Sequence, residues 1–342
     1  MPRELIAVST GRIEFREYEE PSLAATQVRV RTDFAAAKHG TEGAMVRGYA
    51  AARGPWDEEL QLFDTSRAAA SAAPVAVGNM FVGTAVEVGS EISGIRTGDR
   101  VLGYGRFSES HTVEAEALRV VPAGVDWRSA VCLDPADFAL GAVRDGGVRV
   151  GDAVAVFGLG AIGLMVVQIA RMAGASPVIA VDPLSRRRQV AAGLGADLTL
   201  DPTAVDAGRE IKASTSGRGV DVAIEYSGNA AALQAALRGI GFRGTVVAGA
   251  FPAPYPAGLD FGAEAHLNIP RIVFSRANSE PGRDDPRWTE ARLYDTCWRW
   301  ICDGRLRGES VVDPVVPFDD LPGAYEMILS APEGAIKLGA QR

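Results

Sequence analysis

"AVAVFGLGAIGLMVVQIARMAGA", residues 153–175, is the stretch on which the reading of the fold turns. It opens on five apolar residues, short enough for a strand buried on both faces. Gly158, Gly160 and Gly163 then stand in G-x-G-x-x-G spacing, and an apolar, helix-compatible run follows. The next strand-like segment, "PVIAVD", ends on Asp182, nineteen residues past Gly163. Glycines in this spacing are a weak signal alone. Between a strand and a helix, with an acidic residue about twenty positions on, they meet the conditions of a dinucleotide-binding fingerprint.

Each position has a physical reason. Gly158 permits the tight turn, Gly160 lets a pyrophosphate approach the backbone, and Gly163 lets the helix pack close to the strand. The free amides of the first helical turn, which includes Ala161 and Ile162, receive the negative charge. Asp182 is expected to bond the ribose hydroxyls and repel a 2′-phosphate, which favours NAD. Arg186, Arg187 and Arg188 favour the opposite, because guanidinium groups clamp phosphate, so NADP stays open as the alternative. Arg187 is also a candidate to lie over the adenine ribose. Ser227, Ala250 and Lys337 complete the candidate cofactor contacts.

Outward from the fingerprint the same style continues. "DVAIEYSG" (221–228), "GTVVAGA" (244–250) and "NIPRIVFS" (268–275) are further apolar strands, with helical patterns such as "SRRRQVAAGLGA" and "NAAALQAALRGIG" among them. Alternation of this kind predicts βαβ units and a doubly wound parallel sheet, an α/β fold. Before about residue 136 the style differs. "QVRVRTDF" and "FVGTAVEVGS" alternate, with frequent Gly and Pro breaks, as in an all-β domain. Residues 44–77 interrupt it with a long segment of the kind that often forms a lid. The tail from about 304 returns to strand, turn, helix and strand.

The 342 residues suggest two domains. The net charge of −8 and pI near 5.1 disfavour a nucleic-acid partner. No apolar run suits a bilayer, and the first residues lack the apolar core of a signal peptide, so a cytoplasmic protein with no membrane partner is expected. Three cysteines, Cys132, Cys297 and Cys302, make neither a disulfide framework nor a four-thiolate zinc motif.

"AAAKHGTEGAMVRGYA", residues 35–50, packs Lys38, His39, Thr41, Glu42, Arg47 and Tyr49 between small residues. It reads as a metal site, a proton relay or a solvated turn. His111 and His266 are expected at the surface or in packing. Trp288, Trp298 and Trp300 are expected in a core or an interface.

The order of parts resembles the medium-chain dehydrogenase/reductase superfamily. "GTAVEVGSEISGIRTGDRV" (83–101), the fingerprint and "VDPLSRRRQVAAGLGAD" (181–197) are similar to its conserved runs. The resemblance spans nearly the whole chain. It implies a GroES-like, β-barrel-type catalytic domain over 1–136, a Rossmann domain over 137–287, and a return to the catalytic domain over 288–342. It also implies a homodimer through edge strands of the Rossmann domain. "HGTE" (39–42) sits where the zinc alcohol and polyol dehydrogenases place Cys-Gly-Thr-Asp, and "GNM" (78–80) where they place Gly-His-Glu. "LDPADFALGAV" (133–143) matches the segment with their third ligand. The ligand positions thus hold His39, Asn79, Met80 and Asp134. An amide is a poor zinc ligand and a thioether is soft, so no metal is expected. "GYGRFSESHTV" (103–113) replaces the family's four-cysteine zinc lobe.

Without zinc, another electrophile must stabilise charge on the carbonyl oxygen. The candidate catalytic residues are Lys38, His39, Thr41 and Asp134. Thr41 matches the family's Ser/Thr that passes the alcohol proton on, and Ala44 stands where many members have a relaying His. The resulting expectation is a zinc-independent NAD(P)-dependent oxidoreductase acting on a carbonyl or alcohol of a small polyhydroxylated molecule: a sugar, cyclitol or polyol. A quinone-oxidoreductase-like enone reductase and a catalytically inactive dinucleotide-binding sensor or scaffold are the alternatives.

Overall fold

The computed structural model describes residues 1–9, 11–48, 51–67, 74–255, 258–276 and 287–342. The chain forms two compact units: Met1–Val131 with Val312–Arg342, and Cys132–Val311.

The second unit is built on a six-stranded parallel sheet. Its order is Leu198–Leu200, Val178–Val181, Val154–Phe157, Val220–Glu225, Ile240–Ala248, Arg271–Phe274. Numbered within this sheet, that is 3-2-1-4-5-6, the doubly wound order. Val154–Phe157 and Val178–Val181 are buried along their whole length, as strands covered on both faces must be. Val154–Phe157 lies between Val178–Val181 and Val220–Glu225, so the strand order reverses beside it. A crevice opens outside the carboxyl ends of strands at such a reversal, and the glycine loop leaves the sheet at that point.

The helix Glu290–Cys302 packs on the helix Leu133–Asp145 within this unit. It buries Leu293, Thr296, Cys297 and Ile301. The chain therefore leaves the unit at 311/312, not at the expected 287/288, and enters it at 131/132.

In the first unit, Gln27–Ala36 pairs antiparallel with Met80–Val88, Ser110–Glu114 and the C-terminal Gly339–Gln341. A seven-stranded sheet results, beside a three-stranded one of Arg3–Ser9, Arg12–Glu17 and Val75–Ala76. Leu5, Val28, Val30, Phe81, Phe107, Leu321, Tyr325 and Leu338 form its core. Residues from both ends of the sequence fill one cluster, and ladder pairing of Gly339 with Ala36 fixes the returning segment. No helix among the described residues is long and apolar enough to cross a membrane.

Candidate functional site

In the second unit the fingerprint glycines form a tight turn at a helix N-terminus. Gly158 has φ +85°, and a Cβ there would lie 2.4 Å from the Ser227 backbone nitrogen. Only glycine suits both the conformation and the approach. A Cβ on Gly163 would lie 1.9 Å from the Gly158 carbonyl oxygen, so the helix Ala161–Met172 packs directly on the turn. Gly160 is different: a Cβ there would meet nothing within 4 Å. That open side, at the N-terminus of a twelve-residue helix whose first turn holds Ala161 and Ile162, suits an anionic group.

Asp182, 3% exposed, stands at the end of the next strand. Its carboxylate accepts the Leu159 N–H at 2.8 Å and the Leu184 N–H at 2.8 Å. Arg187 lies 3.8 Å away, and Arg188 donates to the Asp182 carbonyl at 2.7 Å and pairs with Asp201 at 3.0 Å. The Asp182 carboxylate, the candidate ribose contact, is thus a brace on the glycine loop.

Ser227 follows the strand Val220–Glu225. It donates its N–H at 2.5 Å, and its hydroxyl, to Glu225, which also accepts the Gly228 N–H at 3.0 Å. Burial pushes the Glu225 carboxyl up, against these donors. The sequence reading missed Glu225; an acid ending an apolar strand before "YSG" was the available signal. Ala250 follows the strand Ile240–Ala248 and is partly buried. Asp134 is buried in the first turn of Leu133–Asp145.

In the first unit the polar cluster of residues 35–50 takes another form. Residues 39–46 are an α-helix, not a turn. Lys38 is its N-cap and is partly buried. Thr41 is partly buried, and its hydroxyl forms no hydrogen bond among the described residues. His39 begins the helix; its side chain, like Tyr49, lies outside the described residues. Glu42 is buried. It accepts the Lys38 N–H at 2.6 Å and the Tyr325 hydroxyl. Burial pushes its carboxyl up, while Tyr325, the Lys38 amide, the charge of Lys337 and the Gly78 amide pull it back. Lys337, a candidate cofactor contact, belongs to this unit. It is buried and donates its ammonium to the Ala37 carbonyl at 2.6 Å. Tyr325 was not foreseen: 283 residues separate it from Glu42, and no local pattern marks it.

Two of the four positions that resemble zinc-ligand sites, Asn79 and Met80, hold poor donors for that ion. Met80 is fully buried and begins a strand. The buried Oδ1 of Asn79 is a neutral amide oxygen with no hydrogen-bond partner among the described residues. An amide and a thioether are poor donors to Zn²⁺. His111 is a packing residue, stacked on Phe81 with ring centroids 3.8 Å apart. His266 is exposed on the short helix Glu264–Asn268. Trp288 is faced by Arg144 and Arg292, at 3.7 and 4.2 Å from its ring centroid.

A family model described as zinc-binding dehydrogenase matches residues 161–278. The D-guloside 3-dehydrogenase of Escherichia coli (strain K12) is 44% identical over 350 residues, covering 98% of this chain and 99% of that protein. The (R,R)-butanediol dehydrogenase of Bacillus subtilis (strain 168) is 33% identical over 202 residues, 51% of this chain and 58% of its own. Among solved structures, 2R,3R-butanediol dehydrogenase from Bacillus subtilis has a TM-score of 0.77 at 23% identity, covering 100% of both chains. On the likeness along almost its full length, with the fingerprint loop and the doubly wound sheet in place, the chain belongs to the medium-chain dehydrogenase/reductase superfamily.

Proposed function

We propose that this protein is an NAD-dependent dehydrogenase that oxidises the 3-hydroxyl of a hexopyranoside without zinc. The observation that carries the substrate class is the 44% identity to a D-guloside 3-dehydrogenase across 98% of the chain. The polar residues at the head of the His39–Val46 helix agree with it, since a hydroxylated ring needs several hydrogen-bonding partners.

The cradle of Gly158, Gly160 and Gly163 with the Ala161–Met172 N-terminus holds the pyrophosphate. Asp182 selects the unphosphorylated ribose, and Arg187, Ser227 and Ala250 are proposed to line the same cofactor. When bound, the nicotinamide supplies an acceptor for the carbinol hydride. Thr41 accepts the alcohol proton and passes it to water, because Ala44 offers no relay. Lys38 and His39 supply positive charge and a hydrogen bond to the oxygen as its charge develops. Asp134 is a candidate acceptor for a substrate hydroxyl. The donor chemistry of Asn79 and Met80 supports the metal-free reading.

The test is a panel of methyl hexopyranosides, gulosides included, against 2,3-butanediol and an enone, with elemental analysis of the purified protein. Reduced nicotinamide from glycosides only, with a 3-keto product and no stoichiometric metal, is expected. Turnover of enones or simple diols alone would overturn the substrate class. One zinc per chain, with activity lost to a chelator, would overturn the metal-free chemistry.

A homodimer is part of the proposal. Arg271–Phe274 is an edge of the parallel sheet, with Phe274 83% exposed beside exposed Leu267, Ile269 and Ile272. Apolar edges of this kind are usually covered. Light scattering that reads a monomer at assay concentration would remove this element.

A further inference from the structure

The junction Ala37–Lys38, between the strand Gln27–Ala36 and the helix His39–Val46, takes two of its four backbone hydrogen bonds from the C-terminal segment and two from Glu42. The Ala37 N–H donates to the Leu338 carbonyl at 2.9 Å, and the Ala37 carbonyl accepts from the Lys337 ammonium at 2.6 Å. The Lys38 N–H donates to Glu42 at 2.6 Å, and the other Glu42 oxygen is held by the Tyr325 hydroxyl. The Lys38 carbonyl takes the ordinary helical bond from the Glu42 N–H at 3.0 Å. Every backbone polar group of the junction is therefore fixed.

The far end of the helix is tied to the same element. Arg47 donates at 2.7 Å to the Leu329 carbonyl, in the last turn of the helix Leu321–Ser330 that carries Tyr325. Glu42 and Tyr325 are buried, and Tyr325 packs edge-on to Phe107. A carboxylate this deep is expensive unless its partners are complete, so removing one is felt by all.

We propose that Tyr325 is a positioning residue. Through Glu42 it sets the place of the Lys38–Thr41 turn, and so of the Thr41 hydroxyl. This rests on the reading of Thr41 as the proton acceptor. Tyr325 touches neither substrate nor cofactor in this account. A misplacement of about 1 Å at a reacting group can cost about 10²-fold in rate. Loss of Tyr325 therefore falls on kcat, while affinity for the cofactor, held by the Gly158–Gly163 loop, stays.

The experiment is a cycle of Tyr325→Phe, Thr41→Val and the double variant, each with kcat, cofactor Kd and thermal midpoint. Tyr325→Phe is expected to lower kcat by about 10- to 100-fold. The double variant is expected to be no slower than Thr41→Val beyond about twofold, because the group being positioned is already gone. Losses that multiply, or wild-type kcat in Tyr325→Phe, overturn the proposal; a general loss of stability would move the midpoint without this coupling. Glu42→Gln keeps the size and one acceptor. It serves as the second variant if Tyr325→Phe does not fold, and the same coupling to Thr41→Val decides. If Thr41→Val alone keeps wild-type kcat, the proton-acceptor role fails. The clamp is then judged on Tyr325→Phe: a slowed enzyme with an unchanged thermal midpoint supports it, and an unslowed one, or slowing that comes with a lowered midpoint, overturns it.

Discussion

Asp182→Ala separates the bracing that the carboxylate performs from the cofactor selection proposed for it. The side chain accepts from the Leu159 and Leu184 amides, both at 2.8 Å, and the Leu159 contact is buried. An orphaned buried donor costs about 1–3 kcal/mol, and the part-buried Leu184 amide costs less because water reaches it. The variant should lose about 2–4 kcal/mol of unfolding free energy on this count. Leu159 lies inside the glycine loop, so part of the loss appears as weaker binding of both nicotinamide cofactors. The second task is selection, and it shows only in the ratio. A hydrogen bond to a charged acceptor is worth about 1.5–3 kcal/mol, so losing the ribose contact should shift the NADH-over-NADPH preference by about 10- to 100-fold towards NADPH. Relief of repulsion on a 2′-phosphate adds to the same direction. Fluorescence titration with each cofactor, beside chemical unfolding, reads both effects. Equal weakening of the two cofactors would refute the selection argument, as would a wild type that prefers NADPH by more than about tenfold.

Thr41→Val removes one positioned hydroxyl and should lower kcat by at least about 10²-fold with NADH binding unchanged; steady-state kinetics with a binding titration checks it. His39→Gln removes the positive charge proposed at the developing oxyanion and should lower kcat, which steady-state kinetics reads. Gly158→Ala forces a side chain into φ +85° and against the Ser227 backbone, so cofactor binding and the melting temperature should both fall; an unchanged titration would remove the tight-turn argument. Burial, aided by the charge of Arg106, pushes the His111 pKa down from 6.5 to about 3. The folded state keeps His111 neutral where the unfolded chain would protonate it. Its contribution is whole above pH 6.5 and is lost as pH falls towards 3. His111→Leu should therefore lose less stability on acidification than wild type, by on the order of a few kcal/mol in chemical unfolding.

The cofactor half of the molecule was legible because its determinants are local. A strand, a turn that only glycine can make, and a helix N-terminus lie within one stretch of sequence, and Val154–Phe157 and Ala161–Met172 form around it. The His39–Val46 helix was not legible. It contains Gly40 and Gly43 and has no side-chain cap at Lys38, so neither propensity nor capping announces it. Glu42 is held by Tyr325, far along the chain, and without that contact the stretch was open to reading as a metal site, a proton relay or a solvated turn. The chain's return to the first unit was misjudged for a similar reason. The pattern of Glu290–Cys302 shows that one face is buried, but not which partner covers it.

The central claim is hydride removal from a sugar carbon without a metal. A hexopyranoside deuterated at C3, incubated with NAD and chelator-treated protein, tests it most directly. The account predicts one deuterium in the reduced nicotinamide for each 3-keto glycoside formed, with the rate unaffected by the chelator. Reduced nicotinamide free of deuterium, or activity that returns only on adding zinc, would contradict it.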